Sequence, residues 1–184
     1  MARGPTPVRI VRPGEPAWAS LLEHLGRAGM VRVVERSDDP ALRVLVVREG
    51  DRTIGHLALC LQPIAVREPS DPRVLEAPDG TGVVLAPSGR PLLELYVQSF
   101  AVDEDARRRG VGSRLQRAAL RLTAQLGAVQ MRSWSSSDRT ANYALKVRLG
   151  FGVHPSIQQT RIGPVAGAYF VRSVRPAPAA RPPA

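Results

Sequence analysis

The apolar positions in the first third of the chain change from a short run to a helical spacing and then to two longer runs. Residues 8–11 (VRIV) predict a strand, and residues 17–28 place a tryptophan and three leucines at helical spacing. Residues 43–49 and 52–61 are apolar runs on either side of a Gly-Asp pair, which favours a tight turn. A strand, a helix and a β-hairpin are therefore expected in this order.

The second half of the chain alternates long apolar runs with helical patterns. A helix predicted over 140–149 follows serine and aspartate candidates for its N-cap and ends at Gly150, a residue type that favours helix ends. The order predicts an α/β (α+β) fold with a mixed central sheet of about six or seven strands, flanked by helices in three layers. Further strands are expected over 92–102, 129–134 and 167–174, and another helix over 111–126.

The length of 184 residues is typical of one domain. We expect a flexible N-terminal arm over 1–7, a domain over 8–175 and a disordered Pro/Ala tail over 176–184. Residues 62–91 contain six prolines and three glycines, and they form an insert between two strands of the domain. No membrane span or signal peptide is predicted, and a single cysteine is typical of a reducing compartment, so we expect a cytoplasmic protein without a membrane partner.

The net charge of +10 suggests at first a nucleic-acid partner. However, the basic residues are spread along the chain without one dominating block, and aromatic residues for base stacking make up only 4%. A nucleic-acid partner is therefore not expected. The three histidines share no ligand spacing and there is one cysteine, so no metal site is expected either.

The segment from Arg107 to Ser113 (RRRGVGS) lies where a predicted strand gives way to a predicted helix. The first amides of a helix have no acceptor within it, and they form a ready anion site. Gly110 and Gly112 would let the backbone approach a diphosphate closely. The alternative is a tight turn with solvated arginines. A Walker loop is excluded because the one lysine is at 146, and a dinucleotide fingerprint is excluded because its third glycine is missing.

Two motifs together resemble the GNAT acetyltransferase superfamily. The first is Arg107-x-x-Gly110-x-Gly112 between a strand and an amphipathic helix, which is similar to that family's coenzyme A motif. The second is NYALKVRLGF (142–151), a helix ending in Leu-Gly-Phe. The resemblance implies a three-layer GNAT fold and the transfer of an acetyl group from acetyl-CoA to an amine. The acceptor would be a small molecule or a peptide. Formation of a homodimer is compatible with the resemblance.

The resemblance also implies where the cofactor lies. In the family, the strand before the turn splays from its neighbour, and its backbone binds the pantetheine arm and the thioester carbonyl. That strand carries Phe100 and Val102 here, and an exposed amide at a bulge there would stabilise the oxyanion that forms during transfer. Asn142 in the second motif is a further expected cofactor contact. The diphosphate would lie on the amides and side chains of Arg107, Arg108, Arg109, Gly110, Val111, Gly112 and Ser113.

Acetyl transfer to an amine needs a base for the ammonium and an acid for the leaving thiolate. Alternation along 92–102 places Glu94 and Phe100 on one face, and Glu94 is the candidate base, directly or through water. The alternative for Glu94 is an exposed carboxylate or an arginine partner. The family often has a tyrosine acid where this chain has Lys146, so Tyr143, nearly on the same helix face, is the candidate acid. Lys146 would contact the cofactor or be solvated.

A different class of function stays open beside this one. The replacement of the usual tyrosine by Lys146 is compatible with a non-catalytic binding module of the same fold, which would hold nucleic acid or an acidic partner.

Overall fold

The computed structural model describes residues 6–30, 39–66, 74–76, 82–160 and 163–175. Residues 1–5 of the expected arm and the whole expected tail over 176–184 lie outside these residues, as do 67–73 and 77–81 of the insert. The domain boundaries therefore stay predictions. The elements in chain order are β1 (Val8–Val11), α1 (Pro16–Arg27), β2 (Leu42–Glu49), β3 (Arg52–Pro63), β4 (Ala65–Val66), β5 (Val74–Glu76), β6 (Gly82–Val84), β7 (Leu93–Val102), a 3-10 turn (Glu104–Ala106), α2 (Val111–Gln125), β8 (Gln130–Ser136), α3 (Thr140–Arg148), β9 (Gly152–Thr160) and β10 (Gly163–Ser173).

A seven-stranded mixed sheet carries the fold, in the strand order β1-β2-β3-β7-β8-β10-β9. Neighbouring strands are antiparallel except β7 and β8, which are parallel and are joined through α2 as a crossover. The predicted mixed sheet flanked by helices is therefore confirmed. Among the described residues, none of the helices is both long and apolar enough to cross a lipid bilayer.

Two apolar layers cover the two faces of the sheet. One face packs against α2 and α3, because α2 presents Val111, Leu115, Ala119 and Leu122 at helical spacing to the leucines of β3 and β7. The other face packs against α1, whose Leu21 and Leu25 are buried on β2 and β3. We call these the α2 face and the α1 face. Their presence accounts for the three layers that the sequence predicts.

The described part of the insert forms a small antiparallel sheet in the order β4-β6-β5. It is joined to the end of the β3–β7 hairpin by backbone hydrogen bonds, with Ile64 N donating to Leu92 O at 2.8 Å and Val84 N donating to Ile64 O at 2.9 Å. The described part of the insert therefore continues from the ends of two central strands, β3 and β7.

Candidate active site

A cleft opens in the middle of the sheet because β7 and β8 pair over only part of their length. Glu94–Tyr96 pair with Gln130–Arg132. Beyond this point β7 stays paired with β3 as far as Val102, and β8 stays paired with β10 as far as Ser136. The facing edges of the two strands therefore part, and backbone groups along them are left for another partner.

A β-bulge in β7 changes which side chains face the α1 side. The β3–β7 register passes from Val97 to Ser99 and skips Gln98. The expectation that Phe100 shares a face with Glu94 is therefore wrong, because the extra residue reverses the alternation. Phe100 packs into the α2-face core with Val97, and Ser99 turns to the α1 face, where its hydroxyl reaches a histidine of β3.

The turn between β7 and α2 leaves helix amides free at the end of the cleft. Gly110 caps α2 with φ 78°, and Arg108 also has a positive φ of 58°. The bond from Arg114 N to Gly110 O, 3.0 Å long, is the first of the helix, so the amides of Val111–Ser113 have no acceptor within it. A Cβ at Gly110 would meet nothing within 4 Å. This geometry suits an anion.

Gly112 has a packing role in addition to the cofactor contact expected of it, which stays a prediction. A Cβ there would lie 3.1 Å from Phe100 Cζ and 3.3 Å from Leu145 Cδ2. The missing side chain therefore lets α2 pack closely on Phe100 and α3, and the space that it leaves is already occupied by protein. What Gly112 can offer a ligand is its backbone amide.

The three arginines of the turn are exposed and differ in their partners. Arg109 forms an ion pair with Glu49 of β2, and Arg107 Nε donates to the carbonyl of Val102 at 3.4 Å. Arg107 also lies 3.9 Å from Glu104, and such surface pairs contribute little to stability. The guanidinium groups are therefore available to a phosphate at the start of α2.

Some of the buried polar atoms without a partner lie on β8 and in the first turn of α3. Among the described residues, these are Ser133 Oγ, Trp134 Nε1 and Asn142 Oδ1. Unpaired buried polar groups are costly, so these atoms are candidate ligand contacts. Tyr143 lies beside them; its hydroxyl donates to the Ser135 carbonyl at 3.2 Å, and its ring meets the ring of Phe170 edge-on.

Lys146 is buried, which excludes the expectation that it is solvated. Only 1% of the residue is exposed. Its Nζ donates to Gln116 Oε1 at 3.0 Å and lies 4.4 Å from the centre of the Phe151 ring. Burial lowers the pKa of Lys146 from 10.5 to about 7. The side chain therefore fills the space between α2 and α3.

Glu94 is fully buried on the α1 face and is enclosed by donors. Arg132 donates to both carboxylate oxygens at 2.6–3.0 Å, and Gln62 and Gln130 donate one hydrogen bond each. Of the alternatives that the sequence left for Glu94, an arginine partner is the one observed here. Its assignment as the base stays a prediction.

Arg132 and two tyrosines form a wall beside the cleft that the sequence pattern did not single out. The guanidinium carbon of Arg132 lies 5.2 Å from the ring centre of Tyr96 and 5.4 Å from that of Tyr169. Gln158 donates to the Tyr169 hydroxyl at 3.0 Å. Burial raises the pKa of Tyr96, so this hydroxyl stays protonated. The signal that could have found the wall is the odd-even alternation of β8, which places Arg132 opposite Tyr96.

A sequence model of the acetyltransferase (GNAT) family matches residues 15–151, more than half of the chain. The chain belongs to the GNAT acetyltransferase family. A search of curated protein sequences finds no match to this GNAT protein.

Solved structures share the fold over nearly their whole length. NAA60 of Arabidopsis thaliana in complex with acetyl-CoA has a TM-score of 0.66 at 13% identity, with 91% of this chain and 97% of that one covered. The ribosomal-protein-S18-alanine N-acetyltransferase of Escherichia coli has a TM-score of 0.59 at 12% identity, covering 94% and 97%. An aminoglycoside 6'-N-acetyltransferase complexed with coenzyme A has a TM-score of 0.61 at 12% identity, covering 93% and 98%. The cosubstrate of the GNAT family is acetyl-CoA, and its reaction is acetyl transfer.

Proposed function

We propose that this GNAT protein transfers an acetyl group from acetyl-CoA to an amine by direct attack, with the cofactor in the β7–β8 cleft. The observation that carries the proposal is the parting of β7 and β8 after Tyr96, at a place where β7 leads directly into the free amides of α2. A cleft edged with unpaired backbone fits the amide-containing arm of coenzyme A, and a helix start fits its diphosphate.

The residues present fit the cofactor along its length. The amides of Val111–Ser113 and the arginines of the turn would hold the diphosphate. The backbone of Phe100 and Val102 would pair with the pantetheine arm, and the unpartnered Asn142 side chain supplies a polar contact on the opposite wall. When bound there, acetyl-CoA supplies an activated acetyl thioester.

Glu94 and Tyr143 would each have to give up a hydrogen bond to act as base and acid. The carboxylate of Glu94 would have to release a donor before it could take a proton, so its contacts favour a role in holding Arg132 in place. The Tyr143 hydroxyl would have to leave the Ser135 carbonyl to protonate a thiolate. If Glu94 is the base, Glu94→Gln lowers kcat and leaves the KM of the amine unchanged. If it holds Arg132, the KM of the amine rises and kcat changes little.

An acceptor screen with thiol detection tests the proposal. Acetyl-CoA is incubated with the protein and with a polyamine, an aminoglycoside, amino acids or peptides with free amino termini, and coenzyme A release is followed. We expect at least one amine to raise the release rate above the rate without amine. Binding of acetyl-CoA without amine-dependent release for any class would contradict transfer to an amine.

A pair of glycine variants at opposite ends of α2 provides the control. Gly110 and Gly127 have φ values of 78° and 72°, and a Cβ at either meets nothing within 4 Å, so valine imposes similar backbone strain at both. We expect only Gly110→Val to raise the KM for acetyl-CoA. An equal rise in Gly127→Val would assign the effect to general destabilisation.

A further inference from the structure

A series of polar contacts runs from the edge of the cleft across the α1 face to the residue that follows β7. Ser99 Oγ lies 2.9 Å from His56 Nε2, and His56 Nδ1 lies 2.8 Å from His24 Nε2. His24 Nδ1 lies 2.7 Å from Asp103 Oδ1. Both histidines are fully buried, on β3 and α1. Four polar side chains from three separate segments of the chain are therefore in contact one after another.

Asp103 determines which nitrogen of each of the two histidine rings carries the proton. Its other oxygen, Oδ2, accepts hydrogen bonds from Arg52 at 2.6 Å and Arg27 at 3.2 Å. Burial raises the pKa of Asp103, but the hydrogen bond from Arg52 and the charges of His24 and Arg27 outweigh it and hold the pKa below its usual value. The group is therefore a carboxylate and only accepts, so His24 must carry its proton on Nδ1.

The protonated nitrogen of His24 determines which nitrogen of His56 is protonated. Burial lowers the pKa of His24, and burial and the adjacent His24 lower the pKa of His56 to about 3, so both rings are neutral at pH 7. With its proton on Nδ1, His24 can only accept at Nε2, so His56 carries its proton on Nδ1 as well. His56 Nε2 then accepts, and the Ser99 hydroxyl is its donor. In both hydrogen bonds and in the 2.7 Å contact between His24 and Asp103, the proton therefore lies on the side away from Asp103 and is directed towards it.

This polarity leaves Ser99 Oγ with lone pairs and no free proton. Ser99 is half-buried and lies on the part of β7 that has parted from β8. Among the described residues, its hydroxyl makes no other side-chain hydrogen bond than the one to His56. What it presents to the α1 side of the cleft is an acceptor, which suits the N–H of an amine.

We propose that Ser99 Oγ holds the amino group of the acceptor substrate beside the cleft, and that Asp103 fixes this polarity through His24 and His56. The inference rests on the proposed transfer to an amine. Ser99 is then a substrate-positioning residue, and Asp103 acts on the substrate only through the two rings.

Asp103→Asn tests the polarity because it reverses the donor and acceptor roles from His24 to Ser99. Arg27 and Arg52 both need an oxygen at the Oδ2 position, so the asparagine NH₂ must face His24. It donates to His24 Nδ1, which moves the ring proton to Nε2, and the same change follows at His56. His56 then donates to Ser99 Oγ, and the serine proton turns towards the substrate. Asp105→Asn is the matched control, because Asp105 also binds Arg52 but is exposed and lies outside the series of contacts from Ser99 to Asp103.

Nitrogen-15 NMR of histidine-labelled protein shows directly which ring nitrogen carries the proton. We expect His24 and His56 to carry the proton on Nδ1 in the wild type and in Asp105→Asn, and on Nε2 in Asp103→Asn. The exposed His154 serves as an internal reference. Wild-type rings with protons on Nε2, or charged rings at pH 7, would overturn the inference whatever the kinetics show.

The kinetic arm uses n-propylamine as the acceptor probe, because this molecule offers an amino group and little else. We expect Asp103→Asn to lower kcat/KM for propylamine about tenfold or more, with the affinity for acetyl-CoA unchanged. Ser99→Ala should lower kcat/KM less. It removes the acceptor of the amine N–H, whereas Asp103→Asn turns the hydroxyl proton of Ser99 against that N–H. The double variant should match Ser99→Ala, since reversal has no effect without the hydroxyl.

The outcomes separate this inference from the proposed function. Amine-dependent thiol release that is equal in wild type and Asp103→Asn overturns the role of Ser99 and leaves the proposed function standing. Additive effects of Asp103→Asn and Ser99→Ala on kcat/KM would also overturn the role of Ser99, because independent effects would indicate a structural role of Asp103. A wild type with the expected tautomers but no amine-dependent release refutes the proposed function, and the role of Ser99 with it.

Discussion

The burial of Lys146 predicts a stability that rises with pH in the alkaline range. It is the one lysine of the sequence, so no other lysine contributes to the titration. Its folded-state pKa of about 7 lies below its ordinary value of 10.5. Between these values the unfolded chain binds a proton that the folded chain does not, and protonation therefore favours unfolding.

The magnitude follows from this difference. At and below pH 7 the cost of burying the charge is at or near its maximum, and it disappears as the pH rises through 10.5. Each unit of pH inside this window contributes up to about 1.4 kcal/mol. Between pH 7 and pH 9, where the folded group is partly charged at the start, the free energy of unfolding should increase by about 2 kcal/mol.

Urea unfolding of wild type and Lys146→Met at pH 7, 8 and 9 measures this effect. Other titrating groups are common to both proteins, so the difference between them isolates Lys146. We expect the wild type to gain about 2 kcal/mol relative to the variant between pH 7 and pH 9. Parallel pH dependences would refute the reasoning, because they would mean that Lys146 titrates like a solvated lysine in the folded protein.

Three further predictions follow from packing, from a buried histidine and from the insert. Gly167→Ala should lower the free energy of unfolding by about 1–3 kcal/mol in urea, because its Cβ would meet the Ser135 carbonyl and the Trp134 ring; Gly152→Ala, with Val171 O 3.6 Å away, should be tolerated. The pKa of about 3 for His56 predicts that stability falls by about 1.4 kcal/mol per pH unit below pH 6.5, and His56→Gln should flatten the acid unfolding curve. Replacing residues 63–91 by a Gly-Asn turn should leave acetyl-CoA affinity unchanged and reduce turnover of the true acceptor; unaltered turnover would exclude the insert from the acceptor site.

Local patterns predicted the parts of the fold that depend on neighbours in sequence. The strand over 92–102, the glycine turn and the helix from 111 were expected from apolar spacing and helix-start chemistry, and β7 and α2 lie there. The hairpin of β2 and β3 was expected for the same reason. The pattern was weakest at β9, most of whose residues are exposed, and the bounds of this strand were not predicted.

The errors came from contacts between distant residues. A one-residue bulge at Gln98 is invisible to strand alternation because it depends on pairing with β3, and it reversed the face of Phe100. Lys146 is buried because Gln116, thirty positions away, provides its acceptor. The chain from Ser99 to Asp103 joins α1, β3 and β7, and its one signal in sequence was a histidine inside each of two apolar stretches.

An amide-shift titration locates the cofactor and tests the central claim most directly. Acetyl-CoA is added to nitrogen-15-labelled protein, and backbone amide shifts are followed by two-dimensional NMR. We expect the largest shifts at Val111–Ser113 and along Phe100–Val102, with small shifts in α1. Saturable shifts confined to other elements, or no shifts at millimolar acetyl-CoA, would contradict the placement of the cofactor in the β7–β8 cleft.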